Sequence, residues 1–270
     1  MKTEKMLKSD KDQYLNIYTM VRNFLTIRAI NELRGKSDMK PAGMEIGAGL
    51  GGNIELIHNH LRSLNAYDLS NNAVEFCRKN FPYPNVKYIT GDFMKMEGDS
   101  ASKYDSVFLY SVLEHMENDC EVLSGISRLL KPDGLLFLQV PGHKRIFSCI
   151  DEFCGHCRRY NADEIVSKLK SSGFIIDEFL SLGIRRLWWM EILKHRIKYG
   201  NAKFDRNERN LASSTTAFST ATKLLLRIKN PFYRILFHTY IRFAKRHLTE
   251  GVEFFIIARK VSDKQSVTRS

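Results

Sequence analysis

Apolar positions at Leu15, Tyr18, Val21, Leu25 and Ile30 recur at helical spacing and predict a first helix over roughly residues 14–33. "GKSDMKPAG" breaks that period, and a short apolar run at 44–46 reads as a strand entering a glycine-dense loop, "MEIGAGLGGN". Ile54, Leu56, Ile57 and Leu61 then fit a helix. "LNAYDLS" (64–70) reads as a strand ending in an acid, 71–80 as a helix stopped by Pro82 and Pro84, and "VKYITGDF" (86–93) as a third strand. A buried strand begins at Ser106 and ends near Tyr110. A helix over 117–130 is closed by "KPDG" (131–134), and "LLFLQVP" (135–141) is a fifth strand. After a loop rich in His, Cys and Arg comes a helix over 162–172, then "GFIIDEFLSL" and, much later, "GVEFFIIARK". Strands alternating with helices at this spacing mean parallel βαβ units with right-handed crossovers, so the expected fold is a doubly wound α/β sheet. No internal repeat is visible. Residues 183–250 read as a helical insertion between the last two strands.

With 270 residues, 43% of them hydrophobic, the chain has ample material for one buried core. No apolar run approaches the ~18 residues of a membrane span. The first residues are too polar for a signal peptide. Five cysteines without a scaffold pattern fit a reduced, cytoplasmic setting. The net charge of +12 is concentrated: residues 183–250 hold fifteen Lys/Arg against four Asp/Glu, and the remainder is nearly neutral. A basic, aromatic-containing segment fits an anionic partner such as nucleic acid, a phosphorylated substrate or a membrane surface, or else a plain solubilising face.

Gly47, Gly49 and Gly52 satisfy G-x-G-x-x-G between a predicted strand and a predicted helix, where a tight turn and close backbone approach need glycine. Asp68 ends the second strand 21 residues after Gly47, the position from which a carboxylate meets ribose hydroxyls. Its structural alternative is to cap the next helix, for which Ser70 is better suited. A dinucleotide and S-adenosylmethionine (SAM) both fit a loop of this kind.

"MEIGAGLGGN", "ITGDF", "YDSVFLYSVLEHM" and "ISRLLKPDGLLFLQVP", in this order and spacing, resemble the motifs of class I SAM-dependent methyltransferases over residues 44–141. The resemblance extends more loosely to the last two strands, and it implies a seven-stranded sheet whose last strand is antiparallel. It further implies that Glu45, Gly47 and Gly49 surround the methionine part of SAM, and that Asp68 holds the ribose with Leu69 against the adenine. Asp92 would accept from the adenine amino group, Phe93 would donate a backbone contact or pack on the ring, and Tyr110 and Ser111 would lie near the methionine end. Asp92 also suits a simple turn after Gly91.

For the acceptor side, His115 follows the fourth strand at its carboxyl end, where ligands sit in open α/β sheets, and is a candidate base for a hydroxyl acceptor. In related small-molecule enzymes the matching "EH" histidine lies by the acceptor. Glu114 beside it would orient the ring or cap the next helix, and a purely structural histidine is the alternative. A second cluster, "DEFCGHCRRYNADEI", contains G-H-x-R-R-Y and resembles a subset acting on small molecules, sugars or lipid-linked intermediates. His156 and Tyr160 are its candidate acceptor contacts. Arg158 and Arg159 are candidates to clamp a substrate carboxylate or phosphate, or else to anchor the loop. Cys154 and Cys157 form C-x-x-C around His156, but a zinc site needs further ligands and no second C-x-x-C exists, so no metal is expected.

In the insertion, Phe232, Leu236, Tyr240, Phe243 and Ala244 suit one helical face, with Arg234, Arg242, Lys245 and Arg246 adding charge. Such a helix packs on a core or lies on an anionic membrane. Trp188 and Trp189 line a pocket, meet lipid or simply pack. The expected organisation is an N-terminal helical lid (1–43), a SAM-binding Rossmann-like domain (44–182), a basic helical insertion acting as substrate lid (183–250), and the last strand with a disordered tail (251–270). The expected function is methyl transfer from SAM to a small-molecule acceptor: a sugar, quinone precursor or lipid-linked intermediate. The expected location is cytoplasmic, including peripherally at a membrane. An RNA methyltransferase is the alternative that the basic segment suggests, although no RNA-binding module is recognisable. A non-catalytic SAM-binding protein and an NAD-dependent enzyme are the others. The sequence leaves the oligomeric state open.

Overall fold

The computed structural model of the chain describes residues 17–35, 39–95, 102–183, 188–199 and 231–262. In chain order its elements are α1 (Ile17–Arg34), β1 (Ala42–Ile46), α2 (Gly52–Ile57), β2 (Ser63–Asp68), α3 (Asn71–Asn80), β3 (Val86–Thr90), β4 (Tyr104–Tyr110) and α4 (Asp119–Leu129). They continue with β5 (Leu130–Pro141), α5 (Cys149–Cys154), α6 (Ala162–Ser171), β6 (Phe174–Leu182), α7 (Trp188–Tyr199), α8 (Pro231–Arg246) and β7 (Glu253–Lys260). The strands form one seven-stranded sheet in the order β3-β2-β1-β4-β5-β7-β6. β1 to β5 pair in parallel, and β7 runs antiparallel to both β5 and β6. The expected α/β fold with its antiparallel last strand is therefore present. The order reverses between β1 and β4, which opens a crevice at the carboxyl ends of the parallel strands. Because β7 is antiparallel, its first residue lies at that edge as well: Glu253 pairs with Pro141, the last residue of β5.

Alternation along the strands makes two cores. Val107 and Leu109 of β4, with Leu136, Leu138 and Val140 of β5, pack under α4 and α6 on one face. Phe108 and Phe137 stack at 4.9 Å between ring centroids on the other face, among side chains from α1, α2 and α8. α1 is thus part of the core: Val21, Leu25 and Ile30 are fully buried. The helix expected as a lid carries a share of the hydrophobic stabilisation, and moving it would expose that surface.

Three local differences from the sequence reading have physical causes. β3 ends at Thr90, because Asp92 accepts a hydrogen bond from the Met94 backbone N–H (3.0 Å) and turns the chain into a 3-10 segment at Phe93–Lys95. "KPDG" lies inside β5, where the register jumps from Tyr104↔Leu130 to Ser106↔Leu135 and Asp133 adopts φ +62°. It is a bulge, not a helix stop. On α8 the buried face is formed by Tyr240, Ile241 and Ala244 with Phe237 against the core, while Phe243 is exposed. That face is rotated by about one residue from the expected stripe. The side chains of Phe232, Arg234 and Leu236, and residues 200–230 of the insertion, lie outside what is described.

Leu25→Ala is expected to lower the unfolding free energy of the whole domain in one cooperative transition, by about 2–5 kcal/mol. Urea denaturation followed by circular dichroism checks this; a lid that opens independently would leave the main transition unmoved.

Candidate active site

The crevice is lined first by the glycine loop. The Gly47 and Ala48 N–H groups both donate to the Tyr67 carbonyl oxygen (2.8 and 2.9 Å), folding the loop back over the end of β2. Gly47, Gly49 and Gly51 all have positive φ. A Cβ on Gly47 would stand 2.3 Å from Cγ2 of Val112, and one on Gly51 would stand 2.7 Å from the Phe81 ring. Two of the missing side chains thus make room for neighbouring protein, in addition to any ligand. Gly51 was not singled out by the motif spacing; only its backbone angle reveals it.

Asp68 closes this loop. Its Oδ2 accepts from the Gly49 N–H and its Oδ1 from the Ser70 N–H, both at 2.8 Å. Ser70 itself caps α3, accepting from the Ala73 N–H, so Asp68 is not the cap. Leu69 beside it is 69% exposed, an uncovered apolar surface between the acid and the loop. Phe93 is buried in the core, which leaves its backbone, and not its ring, for any ligand contact. Asp92 is half-buried and holds its own turn with one oxygen.

Glu45 is buried at the end of β1. Its Oε1 accepts from Asn53 Nδ2 (3.0 Å), and its Oε2 has no hydrogen-bond partner among the described residues. Burial pushes its carboxyl up to about 8, against smaller opposing effects from Asn53 and Arg22. Tyr110 ends β4 with its hydroxyl hydrogen-bonded to Thr26 of α1 (2.9 Å) and Arg22 of α1 over its ring. Ser111 follows at φ +54°, its N–H donating to the Gln139 carbonyl oxygen. A non-glycine residue in this region stores strain, and here it bends the chain away from β4 at the crevice.

The acceptor end is built by residues 113–119, 142–160 and β7. Asp151, fully buried, is its hub. It accepts from Arg159 Nε (2.7 Å), His156 Nδ1 (2.9 Å) and the Ser148 backbone N–H (2.9 Å), the last as part of the α5 capping box. Burial pushes its carboxyl up, but the bonds from His156 and Arg159 outweigh burial and hold it below the ordinary value. Gly155, left-handed at φ +76°, ends α5 and turns the chain so that His156 faces back toward it. His115 Nδ1 meets the Gly155 carbonyl oxygen at 3.0 Å, and the two imidazoles stand edge to face at 4.9 Å. Glu114 is completely buried and lies beneath His156, its Oε1 at 3.7 Å from Nε2. Neither of its oxygens has a hydrogen-bond partner among the described residues, and burial pushes its carboxyl up to about 8. It neither orients His115 nor caps α4, whose N-terminal position is taken by Asn118.

Of the other candidates in this loop, two stand as anchors. Tyr160 is fully buried, donating to Asp119 Oδ2 (3.1 Å) and the Leu113 carbonyl oxygen (3.3 Å), and an acceptor contact through its ring or hydroxyl is ruled out by that burial. Arg159 is 3% exposed; besides Asp151 it donates to the carbonyl oxygens of Gly142 and Val252 and stacks on the Trp188 ring. This geometry favours anchoring over a substrate clamp, and it gives Trp188 the packing role. Arg158 is partly exposed and binds Asp119 and the Glu117 carbonyl oxygen. Three groups of the crevice carried no sequence signal. Arg22 donates to Gln139 Oε1 (2.9 Å), Gln139 Nε2 donates to Glu253 Oε2 (2.6 Å), and burial raises the Glu253 carboxyl.

With this geometry in hand, residues 44–138 match the family model described as a methyltransferase domain. Residues 44–138 are a methyltransferase domain. A malonyl-(acyl-carrier protein) O-methyltransferase of Halalkalibacterium halodurans is 31% identical over 136 residues, 47% of this chain and 49% of that protein. A probable S-adenosylmethionine-dependent methyltransferase of Mycobacterium tuberculosis is 31% identical over 137 residues, 49% of this chain and 48% of that one. The chain thus spans about half the length of the curated relatives it matches. Among solved structures, the YcgJ protein from Bacillus subtilis superposes at a TM-score of 0.55 with 14% identity, over 89% of this chain and 98% of that one. The cyclase SpnF superposes at 0.54 with 15% identity, over 87% and 80%. These likenesses carry the fold alone. The methyltransferase domain therefore contains the glycine loop, Asp68, Asp92, Tyr110 and His115, while Asp151, His156 and Glu253 lie beyond the matched segment.

Two predictions follow from the buried charges. Arg159→Ala is expected to destabilise the protein by about 3–5 kcal/mol, because it strands Asp151; a substrate clamp would instead leave the urea midpoint unchanged. Glu45 has a folded value raised from 4.5 to about 8, so the folded state holds this proton more tightly than the unfolded chain. Its contribution is fully present below 4.5 and is lost as pH rises toward 8, at about 1.4 kcal/mol per pH unit. Glu45→Gln is expected to flatten that part of the stability–pH profile and to be relatively more stable at pH 8.

Proposed function

We propose that the protein transfers a methyl group from SAM to an oxygen or nitrogen nucleophile of a small-molecule acceptor. The observation that carries this is the sign of the charge around the glycine loop. Glu45 is buried there with an unpartnered oxygen, and Asp68 is close enough to raise its carboxyl further. A pyrophosphate would add negative charge beside two acidic side chains, one of them already held protonated by burial, which opposes a dinucleotide; a sulfonium with an ammonium group would draw the Glu45 proton off and gain a counter-ion. The residues present therefore fit SAM. Glu45 and the loop backbone would hold its amino-acid end, Asp68 its ribose, and Leu69 and Asp92 its adenine. SAM supplies an electrophilic methyl group when bound.

The chain's own contribution is alignment, exclusion of water and handling of the acceptor proton. α1, β5 and β7 wall the crevice with Arg22, Gln139 and Glu253 respectively, a polar surface suited to an acceptor bearing hydroxyl or carboxyl groups. The His115–His156 pair stands where an acceptor proton would be taken up, either by an imidazole or by what the pair binds. Among sugars, quinone precursors and lipid-linked intermediates, one feature favours the last: Trp189, Leu193 and Ile197 recur along one face of α7 and are exposed, while the adjacent Trp188 docks on the acceptor loop. An apolar tail lying along α7 would bring its head group to the crevice, at a membrane surface or in a carrier. Among the described residues no helix is long and apolar enough to cross a membrane. That a relative is named for a malonyl-(acyl-carrier protein) substrate agrees with a small acyl-type acceptor on a larger carrier.

Calorimetry with SAM, its demethylated product and NAD tests the cofactor reading. SAM is expected to bind one per chain, and Asp68→Ala to weaken it at least tenfold; binding of NAD alone would overturn it. Labelled SAM with cell extract, partitioned between organic and aqueous phases and an RNA fraction, then tests the acceptor. Label in the organic phase is expected, and label in RNA would sink the small-molecule reading.

A further inference from the structure

Glu114, His115 and His156 present their ligand atoms within 4.8 Å of one another, at the carboxyl edge of the sheet. We propose that these three side chains form a binding site for a divalent transition-metal ion such as Zn²⁺, with open coordination positions toward the crevice. This goes beyond the methyl-transfer reading and does not rest on it.

Two independent features point to a cation. The first is the carboxylate. Glu114 is completely buried, both oxygens lack hydrogen-bond partners among the described residues, and Oε1 points at His156 Nε2 from 3.7 Å. A buried carboxyl with no hydrogen-bond partner costs free energy in place, and a metal ion that displaces its proton satisfies it. The second is the orientation of both imidazoles. The Gly155 carbonyl oxygen can only accept, so the 3.0 Å contact puts a proton on His115 Nδ1. The ionised Asp151 carboxylate likewise puts a proton on His156 Nδ1 at 2.9 Å. In a neutral His156 ring that leaves the lone pair on Nε2, the atom that faces Glu114, for the cluster. A carbonyl or carboxylate holding the far N–H is the arrangement that fixes the tautomer of metal-binding histidines and raises their basicity. Arg159 in turn holds Asp151, so the support extends one layer further.

Two imidazoles and one carboxylate are a donor set for zinc or another first-row divalent ion, with positions left for water or substrate. Ligand atoms around a tetrahedral zinc stand about 3.3 Å apart, so the set must contract by up to about 1.5 Å on binding. The C-x-x-C thiols are not needed: Cys157 is exposed and Cys154 only half-buried, with its thiol pushed up to about 11 by burial. An ion here engages the Nε2 lone pairs, so neither histidine then acts as a free base. A hydroxyl bound to the ion would lose its proton more readily.

The test uses the full chain stripped of metal with a chelator, without SAM. Zn²⁺ calorimetry and Co²⁺ visible absorption are expected to give one ion per chain, with d–d bands of low-symmetry nitrogen and oxygen coordination. Glu114→Gln and His156→Ala are each expected to weaken binding at least tenfold, and Asp151→Asn about tenfold. The double variant Cys154→Ser/Cys157→Ser is expected to bind like wild type. Circular dichroism screens each variant for folding; should Asp151→Asn unfold, Glu114→Gln and His115→Ala carry the test. Absence of stoichiometric binding by the folded wild type, or binding lost only in the cysteine variant, overturns the proposal. A failure here would leave SAM calorimetry unaffected, so the two readings fail separately.

Discussion

The carboxyl edge of the sheet holds more buried carboxyl groups than its described cations can keep ionised. Glu45, Glu114, Asp151 and Glu253 converge there, against Arg22 and Arg159. Asp151 takes Arg159 and is held ionised. Arg22, its own guanidinium lowered by burial, reaches Glu253 only through Gln139. Glu45 and Glu114 are left with raised carboxyls and orphan oxygens. A crevice in this state gains free energy from any bound cation. Two carboxyls with unpartnered oxygens on two sides of the switch point define two cation-seeking positions, one beside the glycine loop and one beside the histidines. The methyl donor's positive end suits the first, and a divalent ion suits the second.

Rigidity at this edge follows from the same network. In the loop at 142–160, Asp151, Arg159 and Tyr160 are almost wholly buried. Arg159 ties the loop to the ends of β5 and β7 through two carbonyl oxygens, and Tyr160 ties it to the start of α4 through Asp119, which Lys168 also holds. The histidines are therefore displayed on a fixed frame. Removing one member would leave a charge without water or partner, so the cost of substitution here exceeds that of a surface ion pair several-fold.

Much of the fold was legible because period and punctuation agree. α3 runs over 71–80 as expected, since Ser70 caps it and Pro82 follows its end. β4 and β5 read clearly as apolar runs buried on both faces. "KPDG" misled because a left-handed Asp133 in a bulge and a helix stop use the same residues. For the site, Asp68 was read from its spacing after the glycine loop, and Glu45 and Leu69 from the motif resemblance around it. Asp151 and Glu253 were not singled out, and Glu114 was read only as an orienter of His115 or a helix cap, because a carboxylate's role depends on what surrounds it and burial of a polar side chain leaves no periodic trace in the sequence. Arg159 and Tyr160 could be read equally as anchors or contacts until their burial was known.

The chain divides its chemistry unevenly. Everything assigned to the cofactor lies within 44–138, the segment that matches a methyltransferase domain. Most of the residues proposed for the acceptor side come from elsewhere: Arg22 from α1, Asp151 and His156 from the loop after β5, Glu253 from β7 and the exposed stripe from α7. Two sheet neighbours, β5 and β7, bring these distant segments together, because an antiparallel last strand starts where the parallel strands end. Relatives that align over half their length inform the half that binds the donor and are silent on the other. On the proposed reading, selectivity rests on Arg22, Gln139 and Glu253, a hydrogen-bonded row whose charge can be altered without touching the glycine loop, and substitutions there should shift acceptor choice while leaving SAM affinity in place.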